Sequence, residues 1–330
     1  MEITNRQFLP TDTKTCHAST IAFYNDEPVF SWFGGMREGL GDQTVYVQRG
    51  LDTDIQLTIG KKDQVPRWNP ILFTHNDQLY LFTKAGIFCD RWQTFLRNIT
   101  EWKSYDDKLP AGMILPAGLN GPVKTKPIFE DNVMFCGSSV ETIYDWTSYI
   151  EAYSFNTPNK DMAHVDRSNP LTVAKKRHAG RYGGTSLTLG IIQPSIWHDD
   201  KDQMHAFFRA SRGLGKVYYS KRNFDSEWTN TWSDPVPTKL KNPNSGVDTV
   251  YFDGRLFLVY NPSDTLRSPL KVVELDDDFN TLHTLTVQKE VKGHTHSEEL
   301  SYPYMIEHNG QLHLTYTYGR SKIEYVVIDV

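Results

Sequence analysis

The sequence predicts an all-β fold, a six-bladed β-propeller, on three observations. A strand-turn-strand unit recurs along the whole chain. Its copies start roughly 50 to 70 residues apart, within or a little above the length of a propeller blade. The apolar runs are short and rich in aromatic and β-branched residues, with 17 Tyr, 17 Phe and 8 Trp in 330 residues, as strands rather than helices require. A β-sandwich also strings alternating strands between turns, but it does not repeat one motif at a steady interval.

The units follow in order. "HASTIAFYNDEPVFSWFGG" begins at His17, "NPILFTHNDQLYLFTKAG" at Asn69 and "KPIFEDNVMFCGSS" at Lys126. "QPSIWHDDKDQMHAFFRASRG" begins at Gln193, "GVDTVYFDGRLFLVYNP" at Gly246, and the last, inside "SYPYMIEHNGQLHLTYTYGR", at Tyr302. In each, one residue precedes a small residue or proline, then come an apolar strand, a polar turn and a second strand. Proline in second place suits a strand that is just beginning, where its missing N–H costs no ladder bond. The chain ends in the strand "IEYVVIDV", and "EITNRQF" lies before the first unit. That N-terminal segment is expected to supply the outermost strand of the last blade, so that residues 1–330 form one propeller domain. The connections around 100–122 and 155–190 are polar and glycine-rich and read as loops over one face.

Composition narrows the function. A formal charge of −5 argues against nucleic acid as a partner, since phosphates need a basic face. Cys16, Cys89 and Cys136 are an odd number without CxxC spacing. They read as free thiols in a reducing compartment, not as disulfides or zinc ligands. The start, "MEITNRQFLPTDTK", has neither the basic nor the apolar part of a signal peptide, and no run approaches a membrane span. The expectation is a cytoplasmic protein with no membrane association. "GRYGGTSLTLG" at 180–190 lacks the spacing of a nucleotide loop and reads as a loop near the pocket mouth, and no cofactor or metal is called for.

In a propeller the innermost strands line the central channel, and their first residues converge on one mouth. Those residues are His17, Asn69, Lys126, Gln193, the Asn244-Ser245-Gly246 turn and Tyr302. Each alone could hydrogen-bond channel water or backbone; six polar or aromatic residues at one mouth make a polar pocket.

The residues that carry these units resemble the sialidase (neuraminidase) superfamily in its BNR-repeat-like branch. The carriers are "HASTI…WFGGMREGLGDQTVYVQRG", "GPVKTKPI", "QPSI…FFRASRG…VYYS", "NPNSGVDTVYFDGRLFLVYNP" and "LSYPYMIEHNGQLHLTYTYGR", in blade order over nearly the whole chain. The Asp-box of many members, S-x-D-x-G-x-T-W, is nowhere intact; "SKRNFDSEWTNTWSDP" at 220–235 resembles a degraded copy with Trp232 in the tryptophan place. The resemblance implies an exo-acting glycoside hydrolase that holds a substrate carboxylate with arginines. It attacks with a tyrosine, an exception to the two-carboxylate scheme. Arg209 and Arg267 fall in the second and third arginine places, Asp42 in the acid/base place, and Tyr302 in the nucleophile place, with Ser301 and Tyr304 in reserve. Arg37, Asn69, Lys124, Lys126 and Asn244 are further candidates for substrate contact.

Two positions depart from the family pattern. His17 stands in the place of the first arginine, and Gln193 in the place of the glutamate that partners the tyrosine. An unassisted phenol is only about 0.1% ionised at neutral pH, and glutamine cannot take its proton. His17 is the substitute base, since imidazole titrates near neutrality. The expected function is removal of a terminal acidic sugar, sialic acid or a relative. A uronate-cleaving polysaccharide lyase is the alternative, since arginines, a histidine and a tyrosine also suit proton abstraction beside a carboxylate. A carbohydrate-binding propeller without catalysis is the third reading.

Overall fold

The computed structural model describes residues 1–51, 56–60, 65–104, 107–142, 145–156, 161–173, 189–223, 230–293 and 295–330. Among the described residues the chain is strand and connection, with one 3-10 turn at Cys89–Arg91. No helix there is long and apolar enough to cross a membrane. The three cysteines are free thiols, two buried and Cys89 exposed.

The strands form four sheets of four strands and one of eight. The first sheet meanders outward through Thr15–Tyr24, Glu27–Gly35, Thr44–Arg49 and Gln56–Ile59, and the second through Arg67–His75, Gln78–Ala85, Gln93–Asn98 and Met113–Ile114. The eight-stranded sheet consists of two runs, over 128–167 and 189–241, joined in parallel by the pairs Asp145–Leu189 and Trp146–Gly190. Asp248–Phe252 begins the next sheet. The last holds Leu300–His308, Gln311–Tyr318 and Lys322–Asp329, and then, at its outer edge, Glu2–Phe8 from the other end of the chain. The N-terminal segment thus takes the place predicted for it, paired antiparallel from Glu2–Asp329 to Phe8–Glu324.

Local chemistry explains the meander. Asn25-Asp26, Asn76-Asp77, Asp253-Gly254 and Asn309-Gly310 are two-residue turns whose φ angles all lie between 47° and 79°. Asn, Asp and Gly tolerate that region, and such turns match the twist of the strands they join. The core lies between neighbouring sheets. Phe30 and Trp32 of the first sheet, Phe82 of the second and Tyr304 of the last belong to one buried cluster. Val259, Leu314 and Tyr316 belong to another, between the last two sheets. Each such side chain contributes about 1.5–3 kcal/mol by leaving water.

Four of the inner strands share a defect that the sequence did not reveal. Their registers slip by one residue between His17 and Thr20, Trp68 and Ile71, Ile192 and Ser195, and Ser301 and Tyr304. At each slip two residues oppose one, a β-bulge. The first bulged residue is left-handed: Ala18 (φ 51°), Asn69 (41°), Gln193 (55°) and Tyr302 (52°). The prolines Pro70, Pro194 and Pro303 follow three of them, inside the strand and not at its beginning. A bulge leaves the second residue without a ladder partner, so proline loses nothing there.

Two loop expectations are corrected in part. The 100–122 connection includes the strand Met113–Ile114, because Phe95 and Leu96 offer it an open edge. The 155–190 connection includes Asp161–Arg167, paired with the strand Asp145–Asn156. Most of the glycine-rich 180–190 segment and the centre of the 220–235 Asp-box-like segment lie outside the described residues. Trp232 of the latter is buried, with Nε1 donating to Asn230 Oδ1 at 2.7 Å.

Candidate active site

The starts of the inner strands and the ends of the second strands meet at one end of the sheets. There the bulges turn Gln193 and Tyr302 toward Arg209, the penultimate residue of Met204–Ala210. Arg209 Nη1 donates to Tyr302 OH at 3.1 Å and to Gln193 Oε1 at 3.1 Å, and Nε donates to Asn244 Oδ1 at 2.8 Å. All three partners are neutral side chains, so these bonds fix the guanidinium without neutralising it. Gly246 closes this side: a Cβ there would lie 3.5 Å from Gln193 Oε1 and 4.0 Å from Tyr302 Cα.

Arg267 stands on the far side of Asn244, with Nε donating to the Asn244 carbonyl at 3.2 Å and Nη1 to Glu299 Oε2 at 3.3 Å. Its guanidinium lies 6.0 Å from the Tyr302 ring centre, and that of Arg209 lies 5.7 Å away. Burial, then the positive charge of Arg209, push the Arg267 pKa below its ordinary value. Asn244 orients both arginines through its side chain and its carbonyl.

His17 packs edge-on against Tyr302, ring centres 4.3 Å apart. It is 3% exposed, and neither ring nitrogen has a hydrogen-bond partner. Burial first, then the charges of Arg320, Arg267, Arg209 and Lys124, push its pKa well below 6.5. The imidazole is neutral, so its 3.8 Å approach to Glu299 Oε1 is not an ion pair. The bulge register also corrects the sequence reading. Ala18 matches Asn69, Gln193 and Tyr302, while His17 stands one residue earlier, where the other units carry Trp68, Ile192 and Ser301.

Two residues at the centre went unnoticed in the sequence. Glu299 accepts from Arg267, from Arg320 Nε at 2.9 Å and from Ser301 Oγ at 2.8 Å. Arg320, in the turn after Gln311–Tyr318, also pairs with Glu38. Both flank quoted motifs, Glu299 just before "LSYPY" and Arg320 at the end of "TYTYGR". Their signal was position, since Glu299 precedes an inner strand and Arg320 follows a second strand, and those ends face the same mouth as Arg209. Glu141 is a third acid there; burial raises its pKa and the Arg209 charge lowers it.

Other predicted residues hold the frame. Lys126 Nζ bonds both oxygens of the buried Asp248 at 2.9 Å, and Asp248 also accepts from Ser195 Oγ and the Met305 amide. Asn69 Nδ2 donates to the Val123 carbonyl at 3.0 Å, tying the second sheet to the segment before the third. These partners account for both side chains without a substrate. Lys124 is 1% exposed, donates to the Pro303 carbonyl at 3.1 Å and lies 5.8 Å from the Tyr302 ring centre. Burial lowers its pKa to about 7, with Asp248 opposing and Lys126 assisting.

Asp42 and Arg37 lie on the exposed 36–43 loop. Asp42 accepts from the Met36 amide at 2.7 Å and from Gln43 Nε2 at 3.1 Å, and it makes no hydrogen bond to Tyr302, Arg209 or Arg267. The loop reaches the site through Glu38 and Arg320. Cavities of about 450 Å³ and 340 Å³ lie on either side of Arg320, one lined by His17 and this loop, the other by Asn244, Arg267 and Glu299. Among the described residues no cluster of His, Cys, Asp and Glu is arranged to hold a metal ion.

The BNR repeat-like domain model matches residues 29–314, and no curated protein sequence matches the chain. Solved structures that share its fold include the following three. A protein of unknown function from Dyadobacter fermentans aligns at TM-score 0.74 and 10% identity, covering 100% of this chain and 99% of that one. Trypanosoma rangeli sialidase aligns at TM-score 0.59 and 10% identity, over 96% of this chain but 55% of the sialidase. The N10 neuraminidase-like protein of influenza A virus from a little yellow-shouldered bat aligns at TM-score 0.54 and 8% identity, over 99% of both chains. At such identities the likeness is one of fold, an all-β sialidase propeller.

Proposed function

From a chain that belongs to the BNR repeat-like domain family, we propose a glycoside hydrolase of sialidase type, a single six-bladed domain that removes a terminal acidic sugar. Counting six blades divides the eight-stranded sheet at its two-pair parallel junction. The observation that carries the function is the Arg209 guanidinium, held by neutral partners and donating to the Tyr302 hydroxyl at 3.1 Å. Such a cation stabilises negative charge on the phenol oxygen and leaves charge to spare for a substrate carboxylate. Arg267 and Arg320 share Glu299 and stand ready as the rest of the clamp.

In this reading Tyr302 Oη attacks the anomeric carbon as the glycosidic bond breaks. Asp42 gives its proton to the leaving oxygen, and His17 takes the phenol proton, which Gln193 cannot do. Water then attacks the anomeric carbon as the bond to Tyr302 Oη breaks, Asp42 takes the proton of that water, and His17 returns its proton to the departing phenolate. Asp42 must swing in with its loop, whose tether is the Glu38–Arg320 pair.

A neutral His17 beside a tyrosine and arginines favours a second reading, a lyase that abstracts the proton beside a uronate carboxylate. One panel separates the two. Fluorogenic sialosides and uronides report hydrolysis, while ultraviolet absorbance on uronate polymers reports the unsaturated product of a lyase. Hydrolysis should fall by about 10²–10⁴ in Tyr302→Phe and in Asp42→Ala. Ligand affinity without turnover, unchanged in Asp42→Ala, would mean a binding module instead.

A further inference from the structure

The cavity beside the 36–43 loop has a chemistry of its own. Its back wall is His17, buried and with both ring nitrogens unpartnered, the kind of orphaned polar group that a ligand satisfies. Its rim carries Met36 and Leu40, which are 57% and 46% exposed and give it an apolar side. Three cations line it. Arg320 is balanced by Glu38 and Glu299, but among the described residues neither Lys14 nor Arg37 forms an ion pair. Two cations therefore line the cavity without an ion-pair partner among the described residues.

A general acid must lie against the oxygen it protonates, which belongs to the departing group. If Asp42 is that acid, the departing group rests on the Asp42 loop, and the cavity is built on that loop. We infer that this cavity receives the leaving unit and that the unit is anionic, a sugar bearing a carboxylate or a sulfate ester. The substrate then carries negative charge on two consecutive sugars, one held by Arg209 and Arg267 and the next by Lys14 and Arg37. The inference rests on the hydrolase reading for the direction of departure, and the cavity's charge stands independently of it.

Free monosaccharides test it without turnover. Galactose, galactose 6-sulfate and galacturonate are titrated into the full chain labelled at the methionine methyl groups, with the Met36 signal identified by Met36→Leu. Both charged sugars, or one of them, should shift Met36 at concentrations about tenfold lower than galactose does. The double variant Lys14→Gln/Arg37→Gln should bring all three sugars within about twofold of one another. A response to one charged sugar alone identifies the anion as sulfate ester or carboxylate. Equal responses to the three sugars, no response, or a preference that survives the double variant overturns the inference. A chain that cleaves nothing yet shifts Met36 with charged sugars loses the hydrolase reading and keeps the anionic subsite.

Discussion

Lys124 and its neighbours show what it costs to line a channel with charge. In the folded chain Lys124 releases its proton near 7, and Lys84, buried against Thr94 and the Asn120 carbonyl, near 8, against 10.5 for an ordinary lysine. Burial is the first cause in both. Above pH 7 the unfolded chain therefore binds more protons than the folded one, so stability rises with pH up to the unfolded value. Urea midpoints should increase between pH 7 and 9, and Lys124→Met should flatten part of that rise. An unchanged slope in the variant would mean that Lys124 is solvated. His17 acts in the same direction at lower pH: its folded pKa is depressed, so stability falls as pH drops below 6.5. At this scale Tyr302, Arg209, Gln193 and Asn244 were legible, because strand starts and strand ends converge in any propeller. Glu299 and Arg320 were not, because an acid and a base on connecting loops carry no periodicity. Only the fold shows that the two loops touch.

The bulge is the element that makes the site. It advances four of the inner strands by one residue and holds a left-handed residue at the mouth, which is why Tyr302-Pro303, Gln193-Pro194 and Asn69-Pro70 recur. Turn chemistry was readable, since Asn-Asp, Asp-Gly and Asn-Gly pairs fell where hairpins needed positive φ. The bulge was not, because the first unit has Ala18-Ser19 where the others have a residue and proline, and the phase slipped to His17. Ala18 is 1% exposed at φ 51°, with its amide donating to Thr317 Oγ1 at 3.1 Å. A left-handed L-residue costs about 1–2 kcal/mol, so Ala18→Gly should be neutral or stabilising by up to about 1 kcal/mol. Ala18→Val should cost about 2 kcal/mol or more through its β-branch and added volume. Denaturant midpoints of the pair check the sign, and equal values would mean that the strain is absorbed elsewhere.

Across the whole molecule, the last sheet is completed by a strand from the other end of the chain. The ladder from Glu2–Asp329 to Phe8–Glu324 covers an edge whose Tyr325, Val326, Val327 and Ile328 are buried. Removing residues 1–8 should lower the melting temperature by several degrees, because part of this core becomes solvated and the pairing of a seven-residue strand is lost. It should also raise the tendency to associate through the bared edge, which light scattering on heating would register. An unaltered melting temperature would mean that the remaining three strands hold the edge by themselves.

That shared sheet also orders events in time. Glu2–Phe8 leaves the ribosome before its partner Lys322–Asp329 is made, so the pairing joins strands with every other strand of the described residues between them. Contacts of such separation form late, after the entropy of closing the longest loop has been met. Until then the first strand waits as an unpaired edge, the state in which nascent chains are most prone to stick to one another. The interval between the making of these two strands is therefore the period in which this fold is most exposed to association.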